Sequence, residues 1–327
     1  MTRGGKAVGW LLCVAGLALS VLSARQAAAV DFAQAIPPEY RIGGKWALGC
    51  QAYSFNRYTF FEAIDKTKET GCKLIEAFPG QKLSPDDPTP FDHNAPQAAL
   101  DAAKKKLDAA GIKLVAYGVV GLGNDEASMR KVFDFAKKMG ILVIVSEPEE
   151  KLLPLVDKLA KEYDIPVAIH NHPNPSRYWD CKHLLESVKD LDKYVGSCAD
   201  TGHWMRSSIV PLDAVKMLEG HIVSMHIKDL NQMGPGSKDS PTHDVPFGTG
   251  KADMTTILDE LTRQGFNGPM SIEYEWNWTA SVPEITQCVE FLKKYAGEKA
   301  TTGEKAGKKV GKRGGKRGAK KAKAATP

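Results

Sequence analysis

No glycine-rich dinucleotide fingerprint, no paired-thiolate metal motif and no membrane-length apolar run occurs in this chain, and each absence removes a class of function. A Gly-x-Gly-x-x-Gly turn does not follow the first strand candidate, which argues against a dinucleotide fold. Cysteine is sparse, six in 327 residues, and none are in CxxC or CxxxC spacing. Neither a disulfide framework nor a thiolate zinc site is indicated, and Cys50, Cys72, Cys181, Cys198 and Cys288 are read as buried free thiols of a well-cored domain. The uncharged apolar run from Ala7 to Leu22 falls short of the roughly 20 residues that span hydrocarbon. Arg3 and Lys6 precede it and Ala27-Ala28-Ala29 follows it, the form of a cleavable secretory signal over residues 1–29. The sequence therefore predicts export to the periplasm or the exterior, with no transmembrane segment left after cleavage before Val30.

Basic charge is also missing where the folded body should be. Residues 297–327 carry eleven Lys or Arg against two Glu, with no apolar period, and are expected to be disordered. Taking this tail's +9 and the leader's +3 away from the whole chain's +5 leaves −7 for residues 30–296. An acidic body argues against a nucleic-acid groove. The basic tail is suited to an anionic polymer or surface, or simply to solubility.

What the chain does contain is a recurring unit. After a lead-in over residues 30–44, a short Val/Ile/Leu-rich run, a polar loop and an amphipathic stretch of helical period follow one another eight times within residues 45–296. The strands are expected at Trp46–Ser54, Lys73–Phe78, Lys113–Val119, Leu142–Ser146, Val167–Asn171, Tyr194–Asp200, Ile222–Lys228 and Pro269–Tyr274. Helices are expected at Phe60–Thr70, Ala95–Ala110, Glu126–Met139, Leu152–Tyr163, Lys182–Asp190, Leu212–Leu218, Met254–Gln264 and Val282–Lys294, with Gly111 and Gly140 as left-handed caps. Eight βα units predict one α/β domain, a closed (β/α)8 TIM barrel.

Such barrels build their sites at the C-terminal ends of the strands. There the sequence places Glu147 after the fourth strand, His170 and His172 at the fifth, and Asp200 and His203 at the sixth. His226 and Lys228 stand at the seventh and Glu273 at the eighth. Glu76 ends the second and suits a substrate hydroxyl; alternation puts His170 and His172 on one side of their strand, where one of them faces substrate. Two Glu, one Asp and one His form a mixed oxygen and nitrogen set suited to one divalent ion, Mn²⁺, Mg²⁺, Co²⁺, Fe²⁺ or Zn²⁺.

Asp200-Thr-Gly-His203, Met225-His-Ile-Lys-Asp229, Phe247-Gly-Thr-Gly-Lys-Ala-Asp253 and Ser271-Ile-Glu273, in this order and spacing, resemble the xylose-isomerase-like superfamily. That superfamily includes tagatose-3-epimerase-like enzymes, hydroxypyruvate isomerase, inosose dehydratase and endonuclease IV, and the likeness covers about residues 46–294. The resemblance implies Glu147, Asp200, His226 and Glu273 as metal ligands, and His203 and Lys228 as substrate contacts. It departs from the epimerases at Gln232, where those relatives tend to have an arginine. It implies isomerisation or epimerisation of a sugar or oxidised sugar: Glu147 and Glu273 remove and return a proton next to a carbonyl through an enediolate, and His203 holds an alkoxide or relays a proton. Dehydration of a keto-sugar or keto-inositol needs the same groups. A non-catalytic sugar-binding protein is the alternative of another class. Endonuclease IV-like chemistry is disfavoured because Glu76 and Tyr117 stand where extra histidines would be needed, although His243 and Asp244 resemble that cluster's later ligands. Export favours a free over a phosphorylated sugar, and self-association is left open.

Overall fold

The computed structural model describes residues 31–313, with side chains to residue 298. The expected leader therefore lies outside the described residues, as do Cys13 and residues 314–327. Eight parallel strands close into a barrel: β1 (Ala47–Gln51), β2 (Leu74–Ala77), β3 (Lys113–Tyr117), β4 (Val143–Ser146), β5 (Val167–His170), β6 (Val195–Asp200), β7 (Ile222–Ile227) and β8 (Pro269–Ile272). Closure is made by β1, which pairs with β8 through Ala47 opposite Pro269 and with β2 through Gly49 opposite Leu74. Every expected strand is present, though shorter. β1 stops at Gln51 because that side chain accepts the Tyr53 N–H at 2.8 Å and turns the chain into a single 3-10 turn, Ala52–Phe55.

Helices α1 (Phe60–Glu69), α2 (Gln97–Ala110), α3 (Glu126–Met139), α4 (Leu153–Tyr163), α5 (Cys181–Val188), α6 (Thr201–Arg206), α7 (Pro211–Met217), α8 (Met254–Arg263) and α9 (Val282–Arg313) surround the barrel. Local chemistry sets their ends. Thr59 and Glu62 form a reciprocal capping box at the start of α1. Gly111 and Gly140 end α2 and α3 at φ near 70°, the left-handed geometry expected of them. Short α6 was not anticipated from the sequence, nor were the two-residue ladders Gln81–Lys82 with Pro90–Phe91 and Asp229–Leu230 with Asp244–Val245. The last helix, α9, runs on through residues 297–313 of the segment whose composition predicts disorder. Its packed part is held by the buried Ile285, Cys288, Val289 and Leu292.

The lead-in has a definite task. Phe32 and Ile36 are buried against Ala47, Leu74, Val115, Val143 and Val223, apolar residues near the starts of their strands. Arg41 fastens this segment by donating to the carbonyls of Phe32, Ile36, Lys45 and Asn267. Apolar packing thus fills the N-terminal end of the barrel, and the strands' polar residues are left to the other end. The five cysteines of the described residues are buried and free, as expected. None of the described helices is long and apolar enough to cross a membrane.

Closure at β1 leaves no room for a side chain at Gly49, where a Cβ would stand 2.5 Å from the Leu74 carbonyl oxygen. Gly49→Ala is expected to push β1 off β2 and lower the urea midpoint, at a cost of about 1–3 kcal/mol for overpacking. An unchanged midpoint would show that the seam is slack.

Candidate active site at the strand ends

Asp200, the last residue of β6, is also the cap of α6: its Oδ1 accepts the His203 N–H at 2.8 Å. Asn171 clamps its backbone, accepting the Asp200 N–H at 2.9 Å and donating to the Asp200 carbonyl at 3.1 Å. With the main chain held on both sides, Oδ2 points into the barrel mouth. Glu273 follows β8 and sends its Oε2 to the same place, 3.2 Å from His226 Nδ1. His226 Nδ1 stands 3.9 Å from Asp200 Oδ2, and His170 Nε2 lies 3.4 Å from that oxygen. All four atoms are buried and none has a hydrogen bond of proper alignment within the described residues. One atom each from His170, Asp200, His203 and Glu273 lies within 4.8 Å of the others, the spacing of donors around a shared ion. Two carboxylate oxygens and imidazole nitrogens without good partners fit a divalent cation.

Of the four expected ligands, Asp200, His226 and Glu273 meet here, and Glu147 stands one ring further out. Its Oε1 is hydrogen-bonded to His172 Nδ1 and is 3.2 Å from His170 Nδ1, so His170 bridges Glu147 to Asp200. Burial raises the Glu147 carboxyl, but the two imidazoles outweigh it and hold the group at about 2. Burial likewise disfavours charge on His170, while Asp200 and Glu147 overcome it and bring the ring to about 9. Of the two, His172 lines the cavity and His170 is fully buried beside Asp200.

Two expected substrate contacts are used differently. Glu76 lies under the cavity with both oxygens engaged: Oε1 is 3.0 Å from His226 Nε2 and accepts Gln51 Nε2 at 3.3 Å, and Oε2 accepts Ser271 Oγ at 2.6 Å. It orients His226 rather than meeting a hydroxyl, the familiar place of a carboxylate behind a ligating imidazole. Lys228 is 1% exposed, and its Nζ stands 3.1 Å from Asp200 Oδ2, 2.7 Å from Glu273 Oε2 and 2.8 Å from Glu275 Oε2. It balances the charge of the site instead of reaching into the cavity. Its stem runs along Gly202, where a Cβ would come within 2.7 Å of Lys228 Cδ, so the glycine of Asp200-Thr-Gly-His203 makes room for the lysine of the next strand.

Several functional residues were not singled out from the sequence. Arg206, on α6, donates to His203 Nδ1 at 3.1 Å, to Glu275 at 2.8 Å and to Asp244 at 3.1 Å. Its guanidinium stands at the edge of the site, whereas Gln232 bonds Ser240 and Thr242 within its own loop. An arginine three residues past His203 is the signal that could have been read. The Arg206 donor leaves the His203 proton on Nε2, and burial pushes that ring well below an ordinary histidine, so it is neutral. Asp229 accepts the N–H groups of Gly248, Gly250 and Ala252 at 2.9–3.0 Å, latching the loop before α8 to the end of β7. His243 stacks on Trp276 and Asp244 pairs with Arg206, so neither joins the donor cluster.

A cavity of about 400 Å³ is lined by His172, His203, Glu273 and Glu275 together with Tyr53, Phe78, Pro79 and Val119. Comparison with known proteins agrees with this architecture. The sequence model of the xylose isomerase-like TIM barrel family matches residues 64–295. An uncharacterised protein from Parabacteroides distasonis is 32% identical, with 76% of this chain and 98% of that one covered and a TM-score of 0.61. A D-tagatose 3-epimerase-like protein is 20% identical over 77% of this chain and 99% of its own, TM-score 0.58. A xylose isomerase-like barrel protein from Mycobacterium smegmatis in complex with magnesium is 13% identical over 78% and 97%, TM-score 0.62. The last two identities speak for the fold alone. No curated protein matches the chain significantly.

Proposed function

Because this chain belongs to the xylose isomerase-like TIM barrel family, we propose that it is a divalent-metal-dependent isomerase or epimerase of a sugar or oxidised sugar. The observation that carries the reading is the meeting of Asp200 Oδ2, Glu273 Oε2 and the His226 and His170 ring nitrogens, buried and poorly bonded, under an open cavity. The two oxygens share the Lys228 ammonium as counter-charge, yet none of the four atoms has an aligned hydrogen bond, and a ligand is the usual reason for such a gathering.

An ion held by Asp200, His226 and Glu273, with Glu147 joining, would neutralise the charge that develops on adjacent substrate oxygens and so acidify the neighbouring C–H. The chain's residues supply the rest. Glu273, lining the cavity, is sited to take the proton from carbon, and Glu147, reached through His172, is sited to return one from the other side. His203 presents an Nε2–H to the cavity and can hold a substrate oxygen as negative charge builds on it. Return of the proton to the same carbon inverts it, and return to the next carbon isomerises the sugar. Loss of a β-substituent, the dehydratase outcome, uses the same first step.

The direct test is incubation of the purified protein with Mn²⁺ and a panel of free and oxidised sugars in D2O, reading deuterium incorporation by NMR. Exchange into a carbon next to a carbonyl is the expected result; absence of exchange across the panel, with metal bound, would leave a sugar-binding protein. His203→Asn should slow exchange by roughly 10²–10⁴, the worth of one group that handles a proton or a developing charge. A full-rate His203→Asn enzyme would remove this residue from the mechanism. The reading includes export and an anionic partner for the Lys/Arg-rich C-terminal segment, both supported by composition.

A further inference from the structure

Two aromatic side chains, Tyr53 and Phe78, line the cavity together with the acid and imidazole groups, and that reaction gives them no task. Tyr53 leaves 39% of its surface exposed, yet its ring is fixed by edge-to-face contacts with Phe78 at 5.3 Å and Trp278 at 5.8 Å. Its backbone is pinned as well, on the 3-10 turn whose Ala52, Ser54 and Phe55 are buried. Such a ring is organised before any ligand arrives, and little further freedom is lost on stacking. Beyond it, Trp276 is 41% exposed, stacked at 4.4 Å on His243, and next in sequence to Glu275 of the cavity wall. The loop carrying both tryptophans is tied down by Tyr58 Oη donating to the Thr279 carbonyl at 2.7 Å and by Asn277 Nδ2 donating to Ala280.

The cavity is therefore divided, polar on its floor and aromatic at its rim. Its volume of about 400 Å³ falls within the range of sites that hold drug-sized ligands, more than one sugar ring requires. Hydroxyls of a single ring are met by His172, His203, Glu273 and Glu275; the rim offers flat apolar faces, suited to the C–H face of a second pyranose or to an aryl group.

We propose that the rim where Tyr53 and Phe78 line the cavity, with Trp278 edge-on against Tyr53, is a subsite for the second ring of a glycoside whose reacting ring carries a keto group and lies on the acid and imidazole floor. This rests on the sugar-transforming reading of the floor and narrows its substrate to glycosides of an oxidised sugar, which keep a carbonyl, and so an acidic neighbouring C–H, although the anomeric carbon is closed.

The test is calorimetric binding of methyl and phenyl β-glycosides of glucose, galactose and mannose, with cellobiose and lactose beside them, to the Mn²⁺-loaded protein and to Tyr53→Ala and Tyr53→Phe. Phenyl glycosides should bind roughly 3- to 10-fold more tightly than methyl glycosides, the worth of one aromatic contact. Tyr53→Ala should remove that preference and Tyr53→Phe should keep it. The disaccharides distinguish the two second rings: a preference for them over the methyl glycosides assigns the rim to a sugar, and its confinement to phenyl assigns it to an aryl group. Equal affinity for methyl and phenyl glycosides, no binding by either, or a preference that survives Tyr53→Ala would overturn the subsite. Deuterium exchange into free sugars, measured alongside, separates the two readings: exchange without ring preference rejects the subsite alone, and Tyr53-dependent preference without any exchange rejects the enzyme alone.

Discussion

Glu273→Gln protein is expected to retain its fold and lose substrate proton exchange, by a factor on the order of 10²–10⁴ or more. Glu273 Oε2 sits 3.2 Å from His226 Nδ1 and 2.7 Å from Lys228 Nζ, and the residue also lines the cavity. A carboxamide keeps the size and one coordinating oxygen but cannot take a proton from carbon at neutral pH. The same change at Glu147 should behave alike if two faces of the substrate are used, although Glu147 is held by two imidazoles and shares its place with them. Metal content by elemental analysis separates loss of the ion from loss of the base. Variants that hold metal and exchange deuterium at the wild-type rate would exclude both glutamates and leave His172, the exposed imidazole of the cavity, as the base.

Lys228→Met should produce the largest change in stability. Three carboxylates, Asp200, Glu273 and Glu275, close on this one buried ammonium at 2.7–3.1 Å. Removing one partner from a buried ionic cluster leaves unpaired charge and costs about 3–5 kcal/mol. Urea unfolding in the presence of a chelator should show that loss, and Mn²⁺ should recover more stability in the variant than in the wild type, because the ion then replaces the missing positive charge. Equal midpoints in chelator would mean that Lys228 is not the counter-charge. Burial disfavours the charged ammonium, yet the carboxylates outweigh it and hold Lys228 well above an ordinary lysine. Its contribution is therefore present throughout the range below an unfolded value of about 10.4 and is lost only as pH rises through the folded value. Burial also acts against charge on Asp200 and Glu273, but positive neighbours hold both well below ordinary carboxylates. Their contribution is present above an unfolded value of about 4 and is lost as pH falls toward the folded ones. The metal-free wild type should accordingly lose stability in acid below about pH 4, and on the alkaline side the His170 contribution should fade as pH rises from about 6.5 to about 9.

Strand and helix periods were legible because a barrel strand buried on both faces must read as a continuous apolar run, and because Gly111 and Gly140 end their helices in the left-handed geometry that glycine adopts at least cost. Helix α6 was missed because six residues of mixed polarity carry no period; it exists because Asp200 caps it and β7 packs beside it.

For the site, the residue types and their strand ends were determined by the chain itself: an acid or imidazole closing an apolar strand has nowhere to go in such a barrel but the open end. Which of them touch was decided only by the tertiary structure, through register and side-chain reach. Alternation puts His226 and Lys228 on the same side of β7, yet only the packed barrel turns one toward Glu76 and the other into three carboxylates. The pairing of Arg206 with Glu275, 69 residues away, depends on β7 lying between β6 and β8, and the edge-on meeting of Tyr53 with Trp278 on barrel closure, which brings β1 beside β8. A linear chain records side-chain chemistry and its period; distances between residues far apart along it exist only once the core has packed and the loops have been latched.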